Sequence, residues 1–299
     1  MSQSAPPKSQ PATPAPLAVV MISRNEAHNM AAVLDNLAGF AQEIFLVDSY
    51  STDDTVDIAL QRGVHVVQRP FRGFGDQWNF AMSQLPITAP WTMKLDPDER
   101  LTDALKASIR DALSQPDADA FVLVRKLWFM GKPLPIRQDL LRIWRTGTCR
   151  FSDVLVNEHP IVAGRHRRLL GILEHRDSPN LDHWIAKQNA YMTAEALSAW
   201  RGARLAAQGR LFGSAPERRQ WLKSKFMDSS FTPTVLFLYY VLIVGVWRAG
   251  RVGMIWALLR RDVHRLIIYK RLEMEWLGKG YEVPRPASDN PDPRVPQFD

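Results

Sequence analysis

The chain has 299 residues and a mass of 34.1 kDa, enough for two typical domains or one large α/β domain with an extension. Hydrophobic residues make up 46% and charged residues 23%, which excludes a disordered or fibrous chain. The single cysteine, Cys149, excludes an internal disulfide framework and any cysteine-based zinc site, and fits a reducing compartment. The net charge of +7 is unevenly placed: residues 1–200 are close to neutral, whereas residues 201–279 carry 15 basic and 5 acidic side chains. The longest apolar runs lie in that same basic block, a pairing that suits an anionic membrane surface better than nucleic acid.

Residues 1–16, rich in Pro, Ser, Ala and Gln, read as a disordered leader without the apolar stretch of a secretory signal. From Leu17 short apolar strands alternate with helices. Leu17–Ile22 is a strand that ends at Ser23-Arg24-Asn25-Glu26, and Asn29–Phe40 has helical spacing through Met30, Val33, Leu34 and Leu37. Glu43–Val47 is the next strand, stopped by the polar run Asp48 to Asp54. Thr55–Arg62 is a helix ended by Gly63, and Val64–Gln68 a third strand. Gly75–Leu85 reads as a helix and Trp91–Leu95 as a fourth strand leading into Asp96-Pro97-Asp98-Glu99. The alternation predicts a doubly wound α/β sheet, whose ligands sit beyond the carboxyl ends of the strands. Further on, Thr102–Ser114 reads as a helix, Ala120–Phe129 as a strand, residues 130–178 as loop and short strands, and Asn180–Arg201 as a helix. Two apolar segments follow, Phe231–Trp247 and Val252–Leu259, then a basic amphipathic helix over roughly 262–277. Residues 280–299 read as a disordered tail.

Three polar clusters fall at the predicted strand ends. Asp96 and Asp98, at i and i+2, suit Mg²⁺ or Mn²⁺ shared with phosphate oxygens, and a solvated acidic turn is the plain alternative. A phosphatase with an Asp-x-Asp nucleophile would also present such a pair, but on its first strand. Asp48 can accept hydrogen bonds from a nucleobase or ribose, while Ser51 or Asp53 serves as the cap of the next helix. The polar burst Ser23, Asn25, Glu26 suits base and ribose recognition. The pattern Gly73-Phe74-Gly75 lacks the preceding strand and third glycine of a dinucleotide fingerprint, and no Walker-type phosphate loop is present.

Taken in order, Ser-Arg-Asn-Glu, Val-Asp-Ser-x-Ser-Thr-Asp-Asp-Thr, Gly-x-Gly-x-Gln-x-Asn and Leu-Asp-x-Asp-Glu resemble glycosyltransferase family 2, and within it the lipopolysaccharide-core β-glucosyltransferase branch. The resemblance implies a nucleotide-diphospho-sugar transferase (GT-A) fold over residues 17–200, an inverting reaction, a Mg²⁺ or Mn²⁺ cofactor and a nucleotide-diphospho-sugar donor. It implies that Glu26 and Asp48 hold the uracil and ribose end of the donor and that Gln77 and Asn79 line the nucleotide pocket. Asp96 would lie on the ribose or sugar side, and Asp98 would be the direct metal ligand. Arg142 and Arg145 match an arginine-bearing segment suited to phosphate. Glu158, in Asn157-Glu158-His159 where the branch carries His-Glu, would be the base, and His175 would add a metal or diphosphate contact.

Phe231–Trp247 holds no charged residue over 17 positions, at the lower limit for a membrane span. The Trp, Tyr and Arg around it favour a membrane-surface helical hairpin over residues 201–279, set against a single span or a buried helical subdomain. The expected activity is sugar transfer to a lipid-linked or cell-envelope acceptor at the cytoplasmic face of a bacterial inner membrane. A sugar-1-phosphate nucleotidyltransferase and an inactive donor-binding protein are the alternatives. The former would want a glycine-rich loop after the first strand, and Ser23–Met30 contains no glycine.

Overall fold

The computed structural model describes residues 13–152, 159–200, 231–281 and 291–298. These residues form two compact units. The first comprises Met1–Arg125, Gln138–Glu174 and Asp289–Asp299, and the second Lys126–Arg137 and His175–Ser288. The helix that follows residue 180 therefore groups with the C-terminal helices.

The first unit is built on β1 (Ala15–Ser23), β2 (Ala41–Asp48), β3 (His65–Gln68) and β4 (Trp91–Lys94), interleaved with α1 (Ala27–Leu37), α2 (Thr55–Gln61) and α3 (Phe74–Gln84). After them come β5 (Glu99–Leu101), α4 (Asp103–Ser114), β6 (Ala120–Phe129), β7 (Lys132–Arg145), the short strands β8 (Arg150–Phe151), β9 (Pro160–Ile161) and β10 (His166–Arg168), and β11 (Leu173–Arg176). The main sheet runs in the order β3-β2-β1-β4-β7-β6-β11-β5, with β10 beside β6. β3, β2, β1 and β4 are parallel, and β7 joins β4 antiparallel, so the sheet is mixed. Alternation along β1 explains the double winding. Leu17, Val19 and Met21 face the core that includes Met30, Val33 and Leu37 of α1 and Leu105 and Ile109 of α4. Ala18 and Val20 face the opposite core, with Trp78 and Ala81 of α3 and Phe151. At the start of α4, the Thr102 side chain caps the helix by accepting from the Leu105 N–H.

Several expectations change. Residues 130–178 contain a 14-residue strand, β7, joined to β6 by the two-residue turn Met130-Gly131. Both turn residues have positive φ (47° and 73°), the geometry of a tight hairpin. Met-Gly is a poor sequence signal for that turn, and Pro133 and Pro135 argue against a strand, yet pairing with β6 forms it. Residues 291–298 are not a free tail. Pro296 C=O accepts from Gln68 N–H at 2.9 Å, Phe298 N–H donates to Gln68 C=O at 2.9 Å, and Val295 is buried in the first core. The first strand also starts earlier than expected, at Ala15, and residues 1–12 of the predicted leader lie outside the described residues.

The second unit contains α5 (Leu181–Trp200), α6 (Thr232–Leu238), a π-helical stretch Tyr239–Val244, a 3₁₀ turn Val246–Ala249 and α7 (Gly250–Leu277). The separate segments expected at 252–259 and 262–277 are thus one continuous helix. Its core gathers Phe129, Leu134, Trp184, Leu197, Val246, Trp256 and Ile267. Among the described residues no single helix is long and apolar enough to cross a membrane. Thr232–Val244 and the helix after it pass that test only as a pair bent by 73°. The basic segment 201–225 lies outside the described residues.

The packing of residues 291–298 predicts that Val295→Asp, which places a carboxylate in the core, lowers unfolding stability by about 2 kcal/mol or more. An unchanged denaturation midpoint would show that this segment contributes nothing to the fold.

Candidate active site

The parallel register brings the carboxyl ends of β1, β2 and β4 to one edge of the sheet: Ser23 pairs with Asp48, and Val20 with Lys94. The two loops leaving β1 and β2 are then locked together. Asn25 N–H donates to Ser51 Oγ at 2.8 Å, and Thr52 N–H donates to Asn25 Oδ1 at 2.8 Å. Glu26 N–H donates to Thr55 Oγ1 at 2.8 Å, and Ala27 N–H to Asp53 Oδ2 at 3.1 Å. Asp53 also accepts from Thr55 N–H, so one carboxylate serves the start of both α1 and α2. Asn25 and Tyr50 adopt positive φ (55° and 54°), placing the two loop bends in the left-handed region. Asn tolerates that conformation; Tyr rarely adopts it, and nothing in the sequence announces the bend at Tyr50.

Asp48 is fully buried. Its Oδ1 accepts from Ser23 Oγ and Ser51 Oγ, and its Oδ2 from Ser51 N–H and Gln68 Nε2, both at 2.8 Å. Four donors fill the four acceptor sites of a carboxylate. Asp48 therefore braces three strand ends and is not placed to take a nucleobase, contrary to expectation. Gln77 is likewise fully buried and donates to Ser49 Oγ at 3.1 Å, so it supports the loop after β2. Asn79 exchanges two hydrogen bonds with the Phe151 backbone, at 2.7 and 3.1 Å, and so fixes β8. Glu26 keeps a partly exposed side chain, holding Asn29 Nδ2 at 2.9 Å with His28 nearby. Ser23 is buried in the Asp48 network, while Asn25 is exposed on the loop.

The turn between β4 and β5 carries Asp96 and Asp98. Arg142, on β7, is buried, with Nη2 2.9 Å from Asp96 Oδ2 and 2.6 Å from Glu99 Oε1. Glu99 is itself fully buried, accepts from Asp96 N–H at 3.0 Å and has Arg125 at 3.5 Å. Burial alone would raise the Asp96 pKa, but the charges of Arg142 and Lys94 outweigh it and hold the carboxyl at about 2. Burial would depress Arg142; Glu99 and Asp96 instead raise it. Arg142 thus neutralises this acidic cluster, and the expected phosphate contact is not what its geometry provides. Arg145 is not at the site. The antiparallel register sets it opposite Trp91, the first residue of β4. That is roughly 16 Å of strand from Asp96, and there its guanidinium lies 4.7 Å over the Trp91 ring.

Sequence reasoning passed over two residues here. Glu99 anchors the turn, and Lys94 is buried with its ammonium 4.4 Å from the Trp78 ring centroid and 5.3 Å from that of Phe151. A charged residue ending an otherwise apolar strand was the available signal for Lys94. Arg100 braces the same turn, donating to the Pro97 and Asn29 carbonyls. The thiol of Cys149 is pushed up to about 12 by burial and stays protonated, which removes it as a nucleophile.

Glu158 lies in residues 153–158, outside the described residues. The flanks of that segment are fixed: Phe151 pairs with Pro160, Ser152 N–H donates to His159 C=O at 3.1 Å, and His159 N–H to Ser152 Oγ at 3.0 Å. His175 belongs to the second unit, where it lies 3.9 Å from Asp177, which also pairs with Lys187 at 2.8 Å. The donor set at the β4–β5 turn itself, the carboxylates of Asp96 and the buried Asp98, is of the hard-oxygen kind that suits Mg²⁺ or Mn²⁺.

A doubly wound mixed sheet that delivers acidic loops from three adjacent strands to one edge defines the GT-A class of glycosyltransferase folds. The sequence profile of glycosyl transferase family 2 matches residues 18–170, and the chain belongs to that family. It is 28% identical over 255 residues to a lipopolysaccharide core biosynthesis glycosyltransferase of Rhizobium meliloti (strain 1021), with 81% of this chain and 87% of that protein covered. An uncharacterized glycosyltransferase of Rickettsia felis is 32% identical over 60% of this chain and 69% of its own length. Among solved structures, a mannosyltransferase from Pyrobaculum calidifontis in complex with GDP-Man and Mn²⁺ overlays with a TM-score of 0.48 at 14% identity, covering 88% of each chain.

The Arg142 arrangement predicts that Arg142→Met, by leaving Glu99 buried beside an uncompensated Asp96, costs about 3–5 kcal/mol in denaturant unfolding. Folded Asp96 holds its proton less tightly than an unfolded carboxyl. Its contribution is therefore full above a pH of about 4 and fades as the pH falls toward 2. That acid-labile component should be missing from the variant. A variant as stable as the parent, with the same acid profile, would show that the cluster is not held by this arginine.

Proposed function

We propose that this family 2 glycosyltransferase is an inverting enzyme that moves a hexose, such as glucose, from a UDP-linked donor to a glycolipid or cell-envelope polysaccharide acceptor, at the cytoplasmic face of a bacterial inner membrane. The observation that carries the reading is the convergence of the β1, β2 and β4 loops at one sheet edge, with Glu26 partly exposed on one loop and Asp98 buried on another. The acceptor class is supported by the lipopolysaccharide-core function in the name of the Rhizobium meliloti relative.

In this reading Glu26 and Asn25 receive the nucleoside end of the donor, and Asp48 and Gln77 act beneath them by holding the loops. Asp98 would hold a Mg²⁺ or Mn²⁺, whose charge neutralises the diphosphate as it leaves. Asp96, held ionised by Arg142, faces the ribose or sugar side. His175 is assigned as a further metal or diphosphate contact from the sequence motif alone. Transfer with inversion needs one displacement at the anomeric carbon: the acceptor oxygen attacks, its proton passes to a base, and the nucleoside diphosphate departs. Glu158 is assigned as that base by its place in the family pattern. The paired strands β8 and β9 hold the two ends of its segment.

Asp98→Ala should abolish transfer and the metal-dependent part of UDP binding while the melting profile stays cooperative. UDP binding with unchanged Mn²⁺ dependence would remove the metal assignment. Glu158→Gln should keep donor affinity near that of the parent and lower turnover by about 10²-fold or more. Parent-like turnover would move the base elsewhere, with His159 the first candidate.

A further inference from the structure

The tip of the β6–β7 hairpin, residues 126–137, and the turn around Gly245, both in the second unit, line an open cavity of about 390 Å³. Its lining includes Lys126, Arg137 and Arg248 among Pro133, Pro135 and Val244, and no acidic residue. Among the described residues none of the three cations forms an ion pair. One of them folds back over the turn. Gly245 has φ 74°, and a Cβ at that position would come within 3.2 Å of the Arg248 guanidinium folded over it. Arg248 also lies 5.3 Å over the Trp247 ring.

The same turn ends an apolar face. Phe231, Val235, Leu238 and Leu242 recur at helical spacing, with Tyr239 and Ile243 in the adjoining row and Trp247 just past the turn, and all seven are exposed. Leu242 and Ile243, next to the turn, are 69% and 75% exposed. The other side of this segment, through Phe237, Tyr240, Val241 and Val244, packs on the core of the unit. Thr232–Val244 would be about 20 Å long at the helical rise, well short of a hydrocarbon core of roughly 30 Å. Its length and its 73° bend suit a segment lying in the plane of a membrane surface.

We propose that this face is a lipid-docking surface in which Leu238, Leu242, Ile243 and Trp247 enter the acyl region of a leaflet and the cavity of Lys126, Arg137 and Arg248 takes the phosphate of an anionic phospholipid headgroup. Charge complementarity selects this occupant: an uncharged apolar face opens at its end onto three cations, of which Arg248 lies in the block 201–279 of net +10. A protein partner would leave those cations to be neutralised separately. The inference deepens the membrane-surface part of the proposed function. It is independent of donor chemistry, so nucleotide-sugar hydrolysis reports on the active site separately.

The test is co-sedimentation of the full-length protein with vesicles of phosphatidylcholine alone or with phosphatidylglycerol. Binding should require phosphatidylglycerol and fall partly as salt rises, because the ionic attraction is screened and apolar insertion is not. Arg137→Glu with Arg248→Glu should weaken binding by about tenfold or more, since each cation near the surface contributes several-fold. The same charge change on the first unit, Arg62→Glu with Arg72→Glu, should weaken it far less. Leu242→Asp with Ile243→Asp should remove the salt-resistant part. All variants should keep donor hydrolysis and a cooperative melt. If a charge reversal disturbs folding, Arg137→Gln with Arg248→Gln replaces it. The proposal is overturned if the parent ignores anionic vesicles at low salt, if both charge-reversal pairs weaken binding equally, or if the aspartate pair keeps salt-resistant binding. Displacement by inorganic phosphate at matched ionic strength would assign the cavity to a free phosphate group and also overturn it.

Discussion

The buried carboxylate of Asp48 sets the geometry on which the rest depends. It sits at the end of β2 and accepts from the end of β1 through Ser23, from its own loop through Ser51 and from β3 through Gln68. Gln68 in turn holds residues 291–298, accepting from Asp292 N–H at 2.8 Å and bonding both ways with the chain at Pro296 and Phe298. One side chain thus ties three parallel strands, a loop and a segment more than 240 residues downstream. A carboxylate left buried with fewer donors would carry an uncompensated desolvation cost, so all these pieces must form together.

Arg142 does comparable work at the next strand. β7 enters the sheet antiparallel and lays a single guanidinium between Glu99 and Asp96, with Arg125 adding to Glu99. Such a buried pair need not add stability relative to apolar residues, but it fixes which conformation the acidic turn adopts. The consequence for chemistry is direct. Asp96 is kept ionised and oriented, and the loops beside it are held by backbone and side-chain bonds before any donor arrives.

The strand and helix alternation from Leu17 to Ser114 was legible because each element carries its own period and stop signal, and the polar runs at strand ends fall together at one edge of the sheet. The long β7 was hidden by Pro133, Pro135 and a Met-Gly turn whose left-handed geometry no local signal announces. The C-terminal segment read as a tail because its prolines and aspartates have no period of their own, while its one buried apolar side chain, Val295, finds the core only through tertiary packing.

The sequence by itself determined the family, the doubly wound sheet and the identity of the acidic strand ends, since these follow from patterning and from residue types at fixed spacing. Only the tertiary structure decided what each polar side chain does there. Asp48, Gln77, Asn79 and Arg142 share the motifs with Glu26 and Asp98, but the hydrogen bonds and ion pairs of the first four run to the scaffold itself. Arg145, three residues from Arg142 in the chain, is carried away by the antiparallel register to the far end of β4. Spacing along a chain names the candidates; which of them face a ligand depends on donors and acceptors brought in from other strands.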